Sequence, residues 1–291
     1  MIKFFSILKA TALEILSEPL SLLVLLMALA TTVFAPAFHY HQFGEATRMA
    51  RDAGFSALFA CGGVLAVFTT IRAFRREVET GTLEMALAHP VSRGGFFLAK
   101  TAGAAVAYLV FALIVFGTQL VTVWGAAVGG VIAEKTGMLV RVYAPALAAG
   151  VAVILAPLVV AALLNRFARF RFVLTCFGVA FVLALLFGGA AFALAPRLLA
   201  PYFAVAALLV CPALVLLAAS AAFAMRFKAN AAASCVGLVF AAMLPFVGNY
   251  YLSDALTGGG SVPLSYFLLA VASALPLVAA FLLGGFRSGR N

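Results

Sequence analysis

The chain has 291 residues, of which 66% are hydrophobic and only 10% charged, with a formal net charge of +10 and a mean hydropathy of +1.19. A water-soluble globule, ordinarily about half apolar and a quarter charged, is excluded; continuous rather than alternating apolar runs exclude a transmembrane barrel as well. The basic residues sit scattered at the ends of apolar runs and form no stripe or motif, so the charge does not point to nucleic acid.

What is left is an all-α, polytopic helical membrane protein, a single transmembrane domain over 1–291. In residues 1–18, Phe4, Phe5, Leu8, Ala12, Ile15 and Leu16 share one broad helical face, with Lys3, Ser6, Glu14 and Ser17 largely off it. That spacing predicts an interfacial helix that stops before Pro19. Glu14 and Glu18 stand where a secretory signal would carry its apolar core, so no signal peptide is expected. Eight spans follow from hydropathy and length, with six to eight as the range: 20–38, 54–71, 97–123, 145–164, 173–194, 202–224, 231–249 and 264–285. The first ends in His39-Tyr-His41, with Glu45 nearby. Two imidazoles two positions apart on a helix point to different sides, which argues for an ordinary interfacial cluster over a metal site. The apolar run from Phe96 to Ala133 is too long for one straight span and predicts a tilted extension or an outer-surface helix. Around Pro196 and Pro201 a short loop or a re-entrant turn is expected, and residues 229–291 add a helical hairpin.

Lys and Arg orient these spans. With the N-terminus in the cytoplasm, fourteen basic residues collect inside against five outside, a strong positive-inside asymmetry that also puts the C-terminus in the cytoplasm. The spans themselves are nearly free of ionisable groups, which disfavours a proton- or ion-driven carrier. Thr118, Gln119 and Thr122 form the most polar cluster in any span. They are a weak candidate for a substrate path, set against hydrogen-bonded helix contacts. Gly129 to Thr136 approaches a phosphate-binding loop but has Glu134 where glycine is required, so no nucleotide site is expected in this chain. Cys61, Cys176, Cys211 and Cys235 fall singly in apolar runs without metal or disulfide spacing. No catalytic constellation can be assembled, and neither an enzyme activity nor a cofactor or metal is expected here.

One island of charge interrupts the apolar chain. Eight of the 28 charged residues lie in the 29 positions from Arg72 to Lys100, between the second and third spans. On a helix over 74–88, Phe74, Val78, Gly81 and Met85 share one face. Leu83 and Leu87 fall nearly opposite, ringed by Arg76, Glu79 and Thr80. One face would pack on the protein's own spans. The small apolar pair within charge fits either a knob offered to a partner groove or a solvated loop helix. His89-Pro90 stops the helix, and Ser92 can cap the next.

Arg75-Arg-Glu77-Val-Glu-Thr-Gly81-Thr82-Leu83-Glu84, followed by His89-Pro90-Val91-Ser92-Arg93 and then Lys100 opening a span, resembles the membrane subunits of the ABC type-2 permease family. The resemblance implies a coupling helix that docks on a cytoplasmic ABC ATPase subunit, with Glu77, Gly81, Thr82, Leu83, Glu84, Pro90, Ser92 and Arg93 in the coupling segment of 72–96. It also implies that ATP and Mg are bound by that partner, and that two permeases pair as a homodimer or heterodimer in a bacterial inner membrane, among membrane lipids. Family members typically have six spans with re-entrant outer helices between the last two. Here the 195–201 connection is too short for those helices, and a hairpin follows Lys228. The function implied is ATP-driven transport, with export favoured. The alternative is a non-transport membrane scaffold or assembly protein docking a partner through the same helix.

Overall fold

The computed structural model describes residues 2–38, 46–79, 93–136 and 144–226. They form seven helices: α1 (Ile2–Leu16), α2 (Pro19–Phe38), α3 (Ala46–Glu79), α4 (Arg93–Thr136), α5 (Ala144–Ala168), α6 (Phe172–Leu194) and α7 (Pro196–Arg226). No strand occurs among the described residues.

The breaks have local causes. Pro19 has no N–H and disfavours helical geometry in the residue before it, so α1 stops and α2 starts with proline in its first turn. The Glu18 carbonyl then accepts from the N–H groups of Ser21 (3.1 Å) and Leu22 (3.4 Å). Between α5 and α6, Arg169 turns the chain with a left-handed φ of 53°, the conformation that commonly ends a helix. The Arg171 carbonyl then accepts from both Thr175 N–H (3.0 Å) and Thr175 Oγ1 (2.9 Å). A single residue, Ala195, separates α6 from α7, its N–H donating to Ala191 O at 3.1 Å. The loop or re-entrant turn expected there is only this one-residue joint.

Among the described residues, four helices are long and apolar enough to cross a membrane: Thr47–Arg76, Gly94–Gly129, Ala144–Phe167 and Phe172–Leu194. The pair Phe4–Leu16 and Pro19–Phe34 would make a fifth span broken at its middle. The expected spans at 54–71, 97–123, 145–164 and 173–194 lie within those four, that at 20–38 is α2, and that at 202–224 lies within α7. The last two lie outside the described residues. The overlong run from Phe96 is one continuous helix of 44 residues. At 1.5 Å per residue it is about 66 Å long, roughly twice the hydrocarbon thickness of a bilayer, so its excess is helical extension and not a separate surface helix.

The helices pack as two compact units. The first comprises Met1–Ile15, Gly63–Tyr108 and the described residues from Val210 onward. Its interior holds Ala12, Ile15, Leu65, Phe74, Phe97, Tyr108, Leu216 and Leu217. The second comprises Leu16–Gly62 and Leu109–Leu209. There α5 and α6 pack along each other as a hairpin with α2 against them. The buried Cys176 thiol donates to the Pro157 carbonyl, Sγ to O 3.6 Å, using the second lone pair that a helical carbonyl keeps. Gly117 and Gly188 bring the backbones of α4 and α6 together. A Cβ on Gly117 would lie 2.6 Å from Ala184 O, and one on Gly188 2.7 Å from Gly117 O. Glycine is required at such a crossing, as at small-residue contacts between membrane helices generally.

Candidate functional site: the base of α3 and α4

In the first unit the charged island begins within α3. The helix runs unbroken to Glu79, so the separate helix expected to start at Phe74 does not start there. The reason is local: no glycine or proline occurs between Val64 and Thr80 to end the span, and Ala73 and Phe74 are buried. The first turn of the 74–88 periodicity is therefore the tail of a membrane helix. Its apolar face does pack inward, Phe74 against Phe97 with ring centroids 5.2 Å apart.

Lys100 closes this junction. It sits two turns into α4, has 0% exposure, and donates from Nζ to Ala73 O at 2.8 Å. The same nitrogen lies 5.1 Å from the centre of the Phe74 ring. A buried ammonium is costly unless its hydrogens meet acceptors. Here a carbonyl lone pair and the negative face of an aromatic ring both meet it. From α1, Glu14 Oε1 receives Arg76 Nη1 at 3.5 Å, a pair largely in solvent. One turn into α4 beyond Lys100, Gly103 lets the chain of α1 come close: a Cβ there would lie 2.6 Å from Leu8 O. The ends of α1, α3 and α4 are thus joined by one buried charge, one exposed ion pair and one backbone approach.

Of the predicted coupling residues, Arg76 is placed as above, Glu77 and Glu79 fall in the last turn of α3, and Arg93 opens α4. Thr80, Gly81, Thr82, Leu83, Glu84, Leu87, Pro90 and Ser92 lie outside the described residues, as do His39 and His41. Lys100 was legible as a basic residue opening a span. Its burial was not, because nothing in the spacing says that Phe74 lies opposite.

The second unit holds the other candidate. Thr118 Oγ1 returns to Ile114 O (2.9 Å) and Thr122 Oγ1 to Gln119 O (2.9 Å), both within α4. Gln119 reaches across, its Nε2 donating to Arg51 O at 3.0 Å, with its chain lying on Gly54. Gln119 Oε1 is buried without a hydrogen-bond partner among the described residues. Near it Arg51 Nε pairs with Asp52 Oδ1 at 2.8 Å, and Phe55 stacks on Tyr202 at 6.0 Å. These three residues tie α4 to itself and to α3, the arrangement of hydrogen-bonded helix contacts. Among the described residues no group of three His, Cys, Asp or Glu side chains is placed to hold a metal.

A charge-poor set of long apolar helices is an integral multi-pass membrane protein. The chain belongs to the ABC-2 family transporter proteins, whose family model matches residues 27–284. Its class is therefore that of an ABC transporter permease, a membrane transport component that works with an ABC ATPase subunit. No curated protein and no solved structure matches the chain.

Proposed function

We propose that this chain is the permease subunit of an ATP-driven exporter, moved by a separate cytoplasmic ATPase that docks on residues 76–93 and holds the ATP and Mg. Family membership carries this reading. The junction geometry supports it, because α3 and α4 are the two legs that enter and leave the docking segment. With Lys100 fastened to Ala73, a displacement of that segment is delivered to both legs together. Nucleotide shifts the permease only insofar as its two conformations bind the ATPase differently, and a firm junction preserves that difference along the spans. Both termini are cytoplasmic, the spans number eight, and two permeases, identical or related, pair in the inner membrane.

The test is co-purification with the ATPase and ATP-dependent export from membrane vesicles. Leu83→Asp or Leu87→Asp is expected to abolish both while leaving the permease folded. Recovery of a stoichiometric partner that binds no nucleotide would overturn this reading in favour of a scaffold.

A further inference from the structure

The turn between α5 and α6 carries three arginines, Arg166, Arg169 and Arg171, all exposed. No acidic residue occurs anywhere in 144–226, and none of the three makes an ion pair among the described residues. Beside them Phe167 is 83% exposed and Phe170 58%. Phe167 is also the last member of an exposed apolar row on α5: Leu155, Val159, Leu163 and Phe167, each four residues after the one before. Residues at that spacing form a continuous ridge. Over twelve residues the ridge runs about 18 Å, close to the depth of one bilayer leaflet, about half of roughly 30 Å.

An apolar ridge one leaflet deep that ends in three exposed guanidinium groups has the outline of a phospholipid. We propose that the α5–α6 turn is a binding site for an anionic phospholipid, its phosphate held by the three arginines and its acyl chains along the α5 ridge. Guanidinium matches phosphate oxygens in a planar, two-pronged geometry. Three positive charges in a stretch, 144–226, that contains no acidic residue select a headgroup with net negative charge over a zwitterionic one. The backbone supports the assignment. Arg169 occupies a left-handed position, φ 53°, where glycine is the ordinary choice, and the arginine there adds a third guanidinium to the turn. A soluble protein partner would account for the charges but not for the exposed ridge beneath them. The inference rests on α5 and α6 crossing the membrane and is independent of ATPase docking.

Native mass spectrometry of the purified full-length protein, titrated with dioleoylphosphatidylglycerol or dioleoylphosphatidylcholine, tests it. One basic side chain near an anionic membrane surface is worth about a fivefold gain in affinity. The wild type is expected to bind the anionic lipid on the order of a hundredfold more tightly than the zwitterionic one. Replacing all three arginines by glutamine (R166Q, R169Q, R171Q) should remove on the order of a hundredfold of that affinity and leave phosphatidylcholine binding unchanged, while lysine at all three positions should retain most of it. Arg169→Gln alone, expected to lose about fivefold, carries the same comparison if the triple variant does not purify. Equal phosphatidylglycerol binding by wild type and variants overturns the site. Loss of the co-purifying ATPase from the glutamine variant, with lipid binding intact, assigns the turn to protein docking instead.

Discussion

Lys100 Nζ donates to the carbonyl oxygen of Ala73 across 2.8 Å with the lysine fully buried. The base of α4 is thereby fastened to the backbone of α3, an acceptor that cannot swing away as an exposed carboxylate could. The Ala73 carbonyl lies inside α3 and keeps its helical donor as well, since a carbonyl has two lone pairs.

This arrangement separates stability from coupling. Lys100→Met gives up a charge-assisted bond of about 1.5–3 kcal/mol but also the desolvation of a buried ammonium, so a net loss under about 1 kcal/mol is expected. Lys100→Glu puts an anion against a carbonyl and a ring face and is expected to cost about 3 kcal/mol or more. Thermal unfolding in detergent distinguishes them. ATP-driven transport should fall in both, because the methionine fills the space without holding the legs together. Full transport by Lys100→Met would remove the junction from the coupling route.

The Arg76–Glu14 pair should contribute little by itself. Its side chains are 72% and 38% exposed and the contact is 3.5 Å, and exposed pairs contribute about 0.2–1 kcal/mol at most. A double-mutant cycle over Arg76→Ala and Glu14→Ala is expected to give a coupling energy under about 0.5 kcal/mol, smaller still in high salt. A larger value would mean that the pair is held more firmly than its exposure implies.

Glycines on one helix face opposite outcomes. At Gly103 an added methyl meets the backbone oxygen of Leu8 at 2.6 Å, so Gly103→Ala must push α1 off α4 and should lower the melting temperature. At Gly94, in the first turn of α4, an added Cβ has nothing within 4 Å, and Gly94→Ala should gain a few tenths of a kcal/mol, less than the roughly 1 kcal/mol of a helix interior. Melting curves of the two alanine variants check the sign.

Gly54 and Gln119 should behave as one unit. A methyl on Gly54 would come within 2.5 Å of Gln119 Cγ, so Gly54→Ala must displace the glutamine and break its bond to Arg51 O. The loss is expected to be about 0.6 kcal/mol for the hydrogen bond, plus the strain of repacking. In a Gln119→Ala background Gly54→Ala should cost distinctly less, a non-additivity that a double-mutant cycle on thermal stability reads out.

The helices were legible in the sequence because a membrane span must satisfy its own backbone within one continuous apolar stretch. For that reason α4, α5 and α6 lie where hydropathy put them, and α1 ends where Pro19 requires. The charged island was legible too, but not its first turn. Periodicity counted from Phe74 describes a free helix and the tail of α3 equally well, and only burial of Ala73 and Phe74 tells them apart. In the polar cluster, composition identified Thr118, Gln119 and Thr122 but left two roles open. The structure adds their partners: two hydroxyls turn back onto their own helix, and the amide crosses to Arg51 O.

By itself, then, the sequence determined the solvent this protein folds in, the helices within it and the family they belong to, since all three rest on composition and local pattern. Tertiary structure alone decided that Lys100 is buried on Ala73, that Gly103 and Gly117 are points of backbone contact, and that an apolar ridge ends in three exposed arginines. Each of these depends on which surface lies opposite a residue, or on none lying there, and a residue's neighbours along the chain do not record that.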